Sequence, residues 1–259
     1  MDFRIPDDPV DVAIHCGDLT EESKLEEFRK SIDQLERTQA PLKLVIAGDH
    51  DFTLDTPTFR KIADHAFTSL SVDPELMKKE CGEPGEARQL FSASDDILFL
   101  DEGIHHFNLS NGARLTEVDV LVTHGPPKGI GYLDRTVFKQ RGGCDHLFSA
   151  IAKVRPRLHC FGHIYEGWGA MLVVWKGDEA KSDTPQQAWE REERYQRLVK
   201  DGFRGTSHCL GDEHPLTPDR HTLFVNAAVE SLEEEKAQLP WIVEIELPRS
   251  ASPNRLASA

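Results

Sequence analysis

The stretch Thr123-His124-Gly125-Pro126-Pro127 constrains this chain most. It follows a largely apolar run, Val118 to Val122, with the character of a buried strand. A strand that stops there delivers an imidazole to the C-terminal edge of a sheet, and the two prolines fix the exit. Open α/β sheets bind their ligands at that edge. Three more strand ends stop in the same way. Asp18 follows Val10–Gly17, Asp49-His50-Asp51 follows Leu42–Gly48, and His163 follows Leu158–Gly162. One strand-end histidine is commonly structural. Four apolar runs that each end in Gly or Thr and then Asp or His are not required by packing, and they point to a metal site.

Strand Val10–Cys16, helix Thr20–Thr38 and strand Leu42–Ala47 form one right-handed βαβ unit. Ser23 and Glu26 have capping-box spacing, and Leu25, Phe28, Ile32 and Leu35 share one helix face. Pro57–Phe67 is a second helix. Ser71 to Ser94 carries two prolines and two glycines and is expected as loop with short helical turns. Ile97–Leu100 and Ile104–Leu109 are short strands, and Asn111-Gly112 is a turn signal. His105 and His106 face opposite sides of any strand, so they are expected on the surface. Gly129–Arg141 is a loop, Cys144–Val154 a helix, and Leu158–Phe161 and Met171–Trp175 strands. His15, His159 and Cys160 fall within strands and are assigned to the core.

Lys176 to His221 is strongly charged. We expect an insertion or lid within one domain spanning 1–248, with a helix over Pro185–Lys200. His208, Cys209, His214 and His221 fit no zinc spacing and are expected on a surface loop. Leu223–Val225 and Trp241–Leu247 close the fold, and 249–259 is expected as a frayed tail.

Composition narrows the function. A formal net charge of −15 over 259 residues argues against nucleic acid and anionic membranes as partners. No apolar run reaches the roughly 20 residues a membrane span needs, and the acidic N-terminus lacks the apolar core of a signal peptide. Five cysteines without a C-x-x-C pair are expected as reduced thiols in a cytoplasmic protein.

Asp18, Asp49, His124 and His163 supply two oxygen and two nitrogen donors. That mixture suits a divalent transition ion such as manganese, iron or zinc, and does not suit calcium or magnesium. Such an ion polarises a phosphoryl oxygen and acidifies bound water. His50 is a candidate general acid for a leaving oxygen, with Asp51 placed to orient it.

Taken in order, Gly17-Asp18, Gly48-Asp49-His50-Asp51, Thr123-His124-Gly125-Pro126-Pro127 and Gly162-His163-Ile164-Tyr165-Glu166-Gly167 resemble the motifs of calcineurin-like metallophosphoesterases. Within that family the chain resembles the single-domain fungal and animal proteins whose last motif reads Gly-His-Ile-His-Glu-Gly. The resemblance implies a four-layer α/β/β/α sandwich, two metals sharing an activated water, and hydrolysis of phosphate mono- or diesters. It makes Asp18 the bridging carboxylate, places Asp49, His124 and His163 on the second metal, and makes His50 the proton donor to the leaving group.

The departures are specific. The family opens with a strand ending Asp-x-His, and here a short acidic lead precedes Val10 without that motif. The second histidine of the last motif is Tyr165, and the family's asparagine in Gly-Asn-His-Asp is Asp49. The segment before the His-Gly-Pro-Pro strand is also shorter. Three ligands of the first metal are therefore replaced or missing, and the second set is complete. One ion is expected where the intact family has two, with weakened phosphodiesterase-type activity on a small phosphorylated or other anionic substrate. Two alternatives stay open at this point. One is a catalytically inactive binding or regulatory member. The other is a single-metal enzyme of another class, a lyase or a hydrolase of non-phosphate esters, with Tyr165 as acid or donor. Arg135 and Tyr165 are the candidate substrate-binding residues.

Overall fold

Side chains that alternate along the central strands divide this structure into layers. The computed structural model describes residues 5–69, 72–109, 111–115, 118–176, 189–195, 199–200, 203–231 and 237–248, with backbone alone for 114–115, 189–195 and 199–200. Sheet one is parallel, in the order β1 (Ala13–His15), β2 (Lys43–Val45), β3 (Ile97–Phe99). Helix α1 (Leu25–Arg37) joins its first two strands. Helices α2 (Thr56–Ser69), α3 (Pro74–Cys81) and α4 (Glu86–Phe91) precede β3. Strands β4 (Phe107–Asn108) and β5 (Arg114–Leu115) form the hairpin announced by Asn111-Gly112.

Sheet two contains β6 (Val120–Val122), β7 (Leu158–Phe161), β8 (Gly169–Trp175), β9 (Trp189–Tyr195) and β12 (His221–Asn226), in the order β6-β7-β12-β8-β9. Helix α5 (Asp145–Val154) lies between β6 and β7 in the chain. A third sheet runs β10 (Val199–Lys200), β11 (Phe203–Ser207), β13 (Trp241–Glu244).

Successive strand residues point to opposite faces, and sheet two uses both. Leu158, Cys160, Ala170, Leu172, Leu223 and Val225 turn inward, where Cys16 and Ile14 of the β1 segment meet them. Phe161, Met171, Val173, Trp175 and Phe224 turn the other way, onto Phe148 and Ile151 of α5. Sheet one is capped on its outer side by Phe28 and Ile32 of α1 and Phe91 of α4. The result is the expected α/β/β/α sandwich. Strands buried on both faces read as continuous apolar runs, which is why Leu158–Phe161 is buried throughout. No helix among the described residues is long and apolar enough to cross a membrane.

Among the described residues sheet one ends at β1, which pairs with β2 alone. Trp241, Val243 and Ile245 of the third sheet's edge pack onto the same inner core as Ile14, and all four remain only partly buried.

Four expectations are corrected. The helix over 185–200 is not formed: Trp189–Tyr195 pairs antiparallel with β8, and Val199–Lys200 pairs with β11. Glu and Arg in this stretch favour helix locally, but the open edge of β8 offers a full ladder of backbone bonds and tertiary pairing overrides propensity. The remainder of that helix lies outside the described residues. The 71–94 segment holds two regular helices. Asp73 caps α3 by accepting from the Glu75 amide at 3.0 Å, with Pro74 at the first helical position, a start signal that Asp-Pro already carried. His208 is 1% exposed. Its Nδ1 meets the His214 carbonyl at 2.8 Å and its Nε2 the Thr206 hydroxyl at 3.0 Å. The imidazole thus staples its own loop, and burial lowers its pKa. The α1 cap falls one residue later than the spacing suggested: the Glu27 carboxylate accepts from the Lys24 amide at 3.0 Å.

Candidate metal centre

Four side chains from four loops converge beyond the C-terminal ends of β1, β2, β6 and β7. Ligand atoms of Asp18, Asp49, His124 and His163 all lie within 4.8 Å of one another, and among the described residues they form the one such acidic and histidine group. His124 Nε2 lies 2.7 Å from Asp49 Oδ1, 3.3 Å from Asp18 Oδ2 and 3.2 Å from His163 Nδ1. His163 Nδ1 is 2.9 Å from Asp49 Oδ1. Ligand bonds of 2.0–2.2 Å place neighbouring donors roughly 3.0–3.4 Å apart around a cation; the 3.2 and 3.3 Å spacings fall in that range, and the 2.7 and 2.9 Å spacings to Asp49 would open slightly to admit an ion.

The backbone is bent to achieve this. Asp18 and His163 hold positive φ, 56° and 65°, a conformation that costs a non-glycine residue energy and that clusters at functional sites. Gly48 is required by close approach. A Cβ there would lie 2.1 Å from Asp18 Oδ1 and 2.7 Å from His124 Cε1.

The ring of His124 is aimed by its other nitrogen. Nδ1–H donates to the Cys16 carbonyl at 2.8 Å, which leaves Nε2 for the cluster, as ligating histidines are usually held. Burial disfavours charge on His124, but hydrogen bonds to Asp18 and Cys16, and the Asp49 carboxylate, raise it to about 9. Asp18 answers in kind. Burial pushes its carboxyl up, and the imidazole beside it pulls it below its ordinary value. The two carboxylates therefore demand positive charge between them, which a proton or a divalent ion can supply.

His50 and Asp51 part company. Nδ1–H of His50 donates to the Glu21 carbonyl at 2.7 Å, which raises its pKa. Its backbone amide donates to Asp18 Oδ1 at 3.2 Å. Nε2 has no hydrogen-bond partner among the described residues, and the side chain is exposed. Asp51 is 1% exposed and does not hold that ring. Its carboxylate accepts from the amides of Leu19 and Thr20 at 3.0 Å each, the Thr20 hydroxyl at 2.7 Å and the Gly48 amide at 2.9 Å. It ties the loop after β1 to the loop after β2, and so fixes Asp18 relative to Asp49.

Sequence reasoning missed two supports. The Glu21 and Cys16 carbonyls orient His50 and His124, and a carbonyl carries no signature in the residue type. His159 was assigned to the core alone, yet its Nε2 meets Thr123 Oγ1 at 2.9 Å, and that hydroxyl donates to the Gly125 carbonyl at 2.7 Å. A buried histidine therefore braces the turn that presents His124. Arg135 is exposed on the hairpin after the His-Gly-Pro-Pro turn. Tyr165 follows His163 in a short 3-10 turn, its carbonyl held by Gln238. Neither is hydrogen-bonded to the four ligands.

The family model of calcineurin-like phosphoesterases matches residues 2–167, which contain all four candidate ligands. The chain belongs to the calcineurin-like phosphoesterase family. Among curated proteins it is 33% identical over 190 residues to metallophosphoesterase domain-containing protein 1 of Homo sapiens, covering 62% of this chain and 56% of that protein. It is 30% identical over 198 residues to the UPF0046 protein T07D4.2 of Caenorhabditis elegans, covering 62% and 47%. A protein of Emericella nidulans named probable rhamnogalacturonate lyase C is 30% identical over 193 residues, but that match covers 16% of its length. The chain thus spans about half the length of the metallophosphoesterase relative.

Proposed function

We propose that this calcineurin-like phosphoesterase hydrolyses phosphate mono- or diesters with a single divalent transition ion, held by Asp18, Asp49, His124 and His163. The observation that carries this is the convergence of four donors from four loops at coordination spacing. Two nitrogens and two carboxylates favour manganese, iron or zinc. Such an ion, when bound, polarises the phosphoryl oxygen and acidifies water.

The protein supplies the rest. His124, its ring set by the Cys16 carbonyl, and His163 would supply the nitrogen donors, and Asp18 and Asp49 would offset the charge of the ion. His50, its Nδ1–H fixed on Glu21, leaves Nε2 to protonate the departing oxygen. One ion gives less stabilisation of attacking and leaving oxygens than a two-ion clamp, and the additional carboxylate of Asp49 weakens its Lewis acidity. Slow turnover follows from both.

The test exploits leaving-group demand. With metal loaded, His50→Ala lowers kcat for an alkyl phosphate ester by about 10²–10⁴, and much less for a p-nitrophenyl ester, whose leaving group departs unprotonated. Equal losses on both esters contradict the role of His50. Absence of any hydrolysis by the metal-loaded wild-type chain contradicts the phosphoesterase reading itself.

A further inference from the structure

The hairpin between the two metal-bearing motifs is built more firmly than a connecting loop requires. Its ends are joined just after the His-Gly-Pro-Pro turn, where Lys128 N–H donates to the Cys144 carbonyl and Cys144 N–H to the Pro126 carbonyl, each at 3.0 Å. Within it, Thr136 N–H donates to the Gln140 carbonyl at 3.0 Å, Lys139 N–H to the Thr136 carbonyl at 2.8 Å and Gly142 N–H to the Asp134 carbonyl at 2.9 Å. The fully buried Asp134 carboxylate anchors the base through Gly129 N–H at 2.7 Å and Arg141 at 2.6 Å. The opposite motif holds the tip. Val137 N–H donates to Glu166 at 2.8 Å, and Gly142 lies close against Ile164, the neighbour of His163. The arm is therefore wedged between the His124 loop and the His163 loop.

What this arm presents is unusual for so acidic a chain. Phe138 is 80% exposed and Val137 47%. Arg135 and Lys139 flank them and have no ion-pair partner among the described residues. The two other cations of the 128–141 stretch are committed, Lys128 to Asp145 and Arg141 to Asp134. In a molecule of net charge −15, two uncommitted cations beside the metal loops are placed to draw an anion toward the centre. An apolar ring held between them recognises something flat and apolar attached to that anion.

We propose that the 135–139 tip is the substrate-recognition arm: Phe138 stacks on an aromatic leaving group of the phosphate ester, and Arg135 and Lys139 attract its anionic charge. This rests on the proposed phosphoesterase reading and adds the class of substrate, an aryl or heteroaryl phosphate ester in preference to an alkyl one.

Equilibrium binding of phenyl phosphate and methyl phosphate to the manganese-loaded full chain tests it without requiring turnover. The wild type is expected to bind phenyl phosphate about three- to tenfold more tightly. Phe138→Ala brings the ratio to about one, and Phe138→Trp keeps it. Because Phe138 is 80% exposed, these changes leave the folded core untouched. Arg135→Gln with Lys139→Gln weakens both ligands alike and flattens the salt dependence. Equal wild-type affinities, or a preference that survives Phe138→Ala, overturn the arm while leaving the phosphoesterase site standing. Binding with the predicted preference but no hydrolysis of either ester supports the arm and overturns the catalytic reading. Failure to bind either ester overturns both. Phe138-dependent self-association or binding to phosphatidylserine vesicles, without ester preference, also overturns the proposal.

Discussion

Acidification from about pH 6.5 toward pH 3 removes several kcal/mol of stability through one residue, His159. Its ring is fully buried, packed 4.9 Å from Phe161 and 5.6 Å from Phe224, centroid to centroid. Burial lowers its pKa to about 3. The Thr123 hydroxyl donates to the Gly125 carbonyl and so accepts from His159 Nε2–H. Nδ1 carries the lone pair and has no partner, so protonation places a new N–H and a charge among aromatic rings. The unfolded chain takes that proton near pH 6.5 and the folded chain near pH 3. Between these values the unfolded state binds more protons, and stability falls as pH falls. Above pH 6.5 and below pH 3 the contribution is flat. A separation of about 3.5 units corresponds to roughly 4–5 kcal/mol at most. Denaturant titrations of the wild type and His159→Phe between pH 7.5 and 4 read the difference. The wild type should lose stability faster than the variant on acidification, and parallel curves contradict the assignment.

Replacing Asp51 by alanine is expected to cost about 3–5 kcal/mol and to abolish metal binding together. The carboxylate is buried and accepts from three amides and a hydroxyl. Removing it leaves those buried donors without partners, at roughly 1–3 kcal/mol for each one that water does not reach. The same bonds fix the Asp18 loop against Gly48, so their loss frees one ligand from the other three. Thermal or denaturant melts give the first effect, and metal titration of the folded variant gives the second. A variant with wild-type metal affinity would show that Asp51 only stabilises, and one with wild-type stability would show that the loops are held by other means.

The contrast between Asp51 and Asp49 shows what a sequence discloses. Asp18, Asp49, His124 and His163 were legible because each ends an apolar strand run, and strand order carries such residues to one sheet edge. Asp51 suggested a partner for its neighbour His50. A turn, however, sends adjacent side chains in different directions, and Asp51 went to Leu19 and Thr20, some thirty residues away. The buried strands were legible in the same way, from apolar runs, whereas the four-layer arrangement was implied by the family resemblance. The stretch from Trp189 to Tyr195 was not, because its charged residues favour helix until an open strand edge is present to pair with. His208 escaped for a related reason: its partners, the Thr206 hydroxyl and the His214 carbonyl, are fixed by the path of a loop. Phe138 gave no periodic signal at all, and its exposure is visible only once the hairpin around it is built.

The most direct test of the central claim is the metal content per chain, measured after manganese loading and removal of excess, on the wild type, Asp49→Ala and His163→Ala. Both substituted side chains are largely exposed, 58% and 44%, so the variants should fold. The single-ion site predicts one equivalent in the wild type and loss of it in both variants. Two equivalents in the wild type, or an equivalent that persists in either variant, would contradict it.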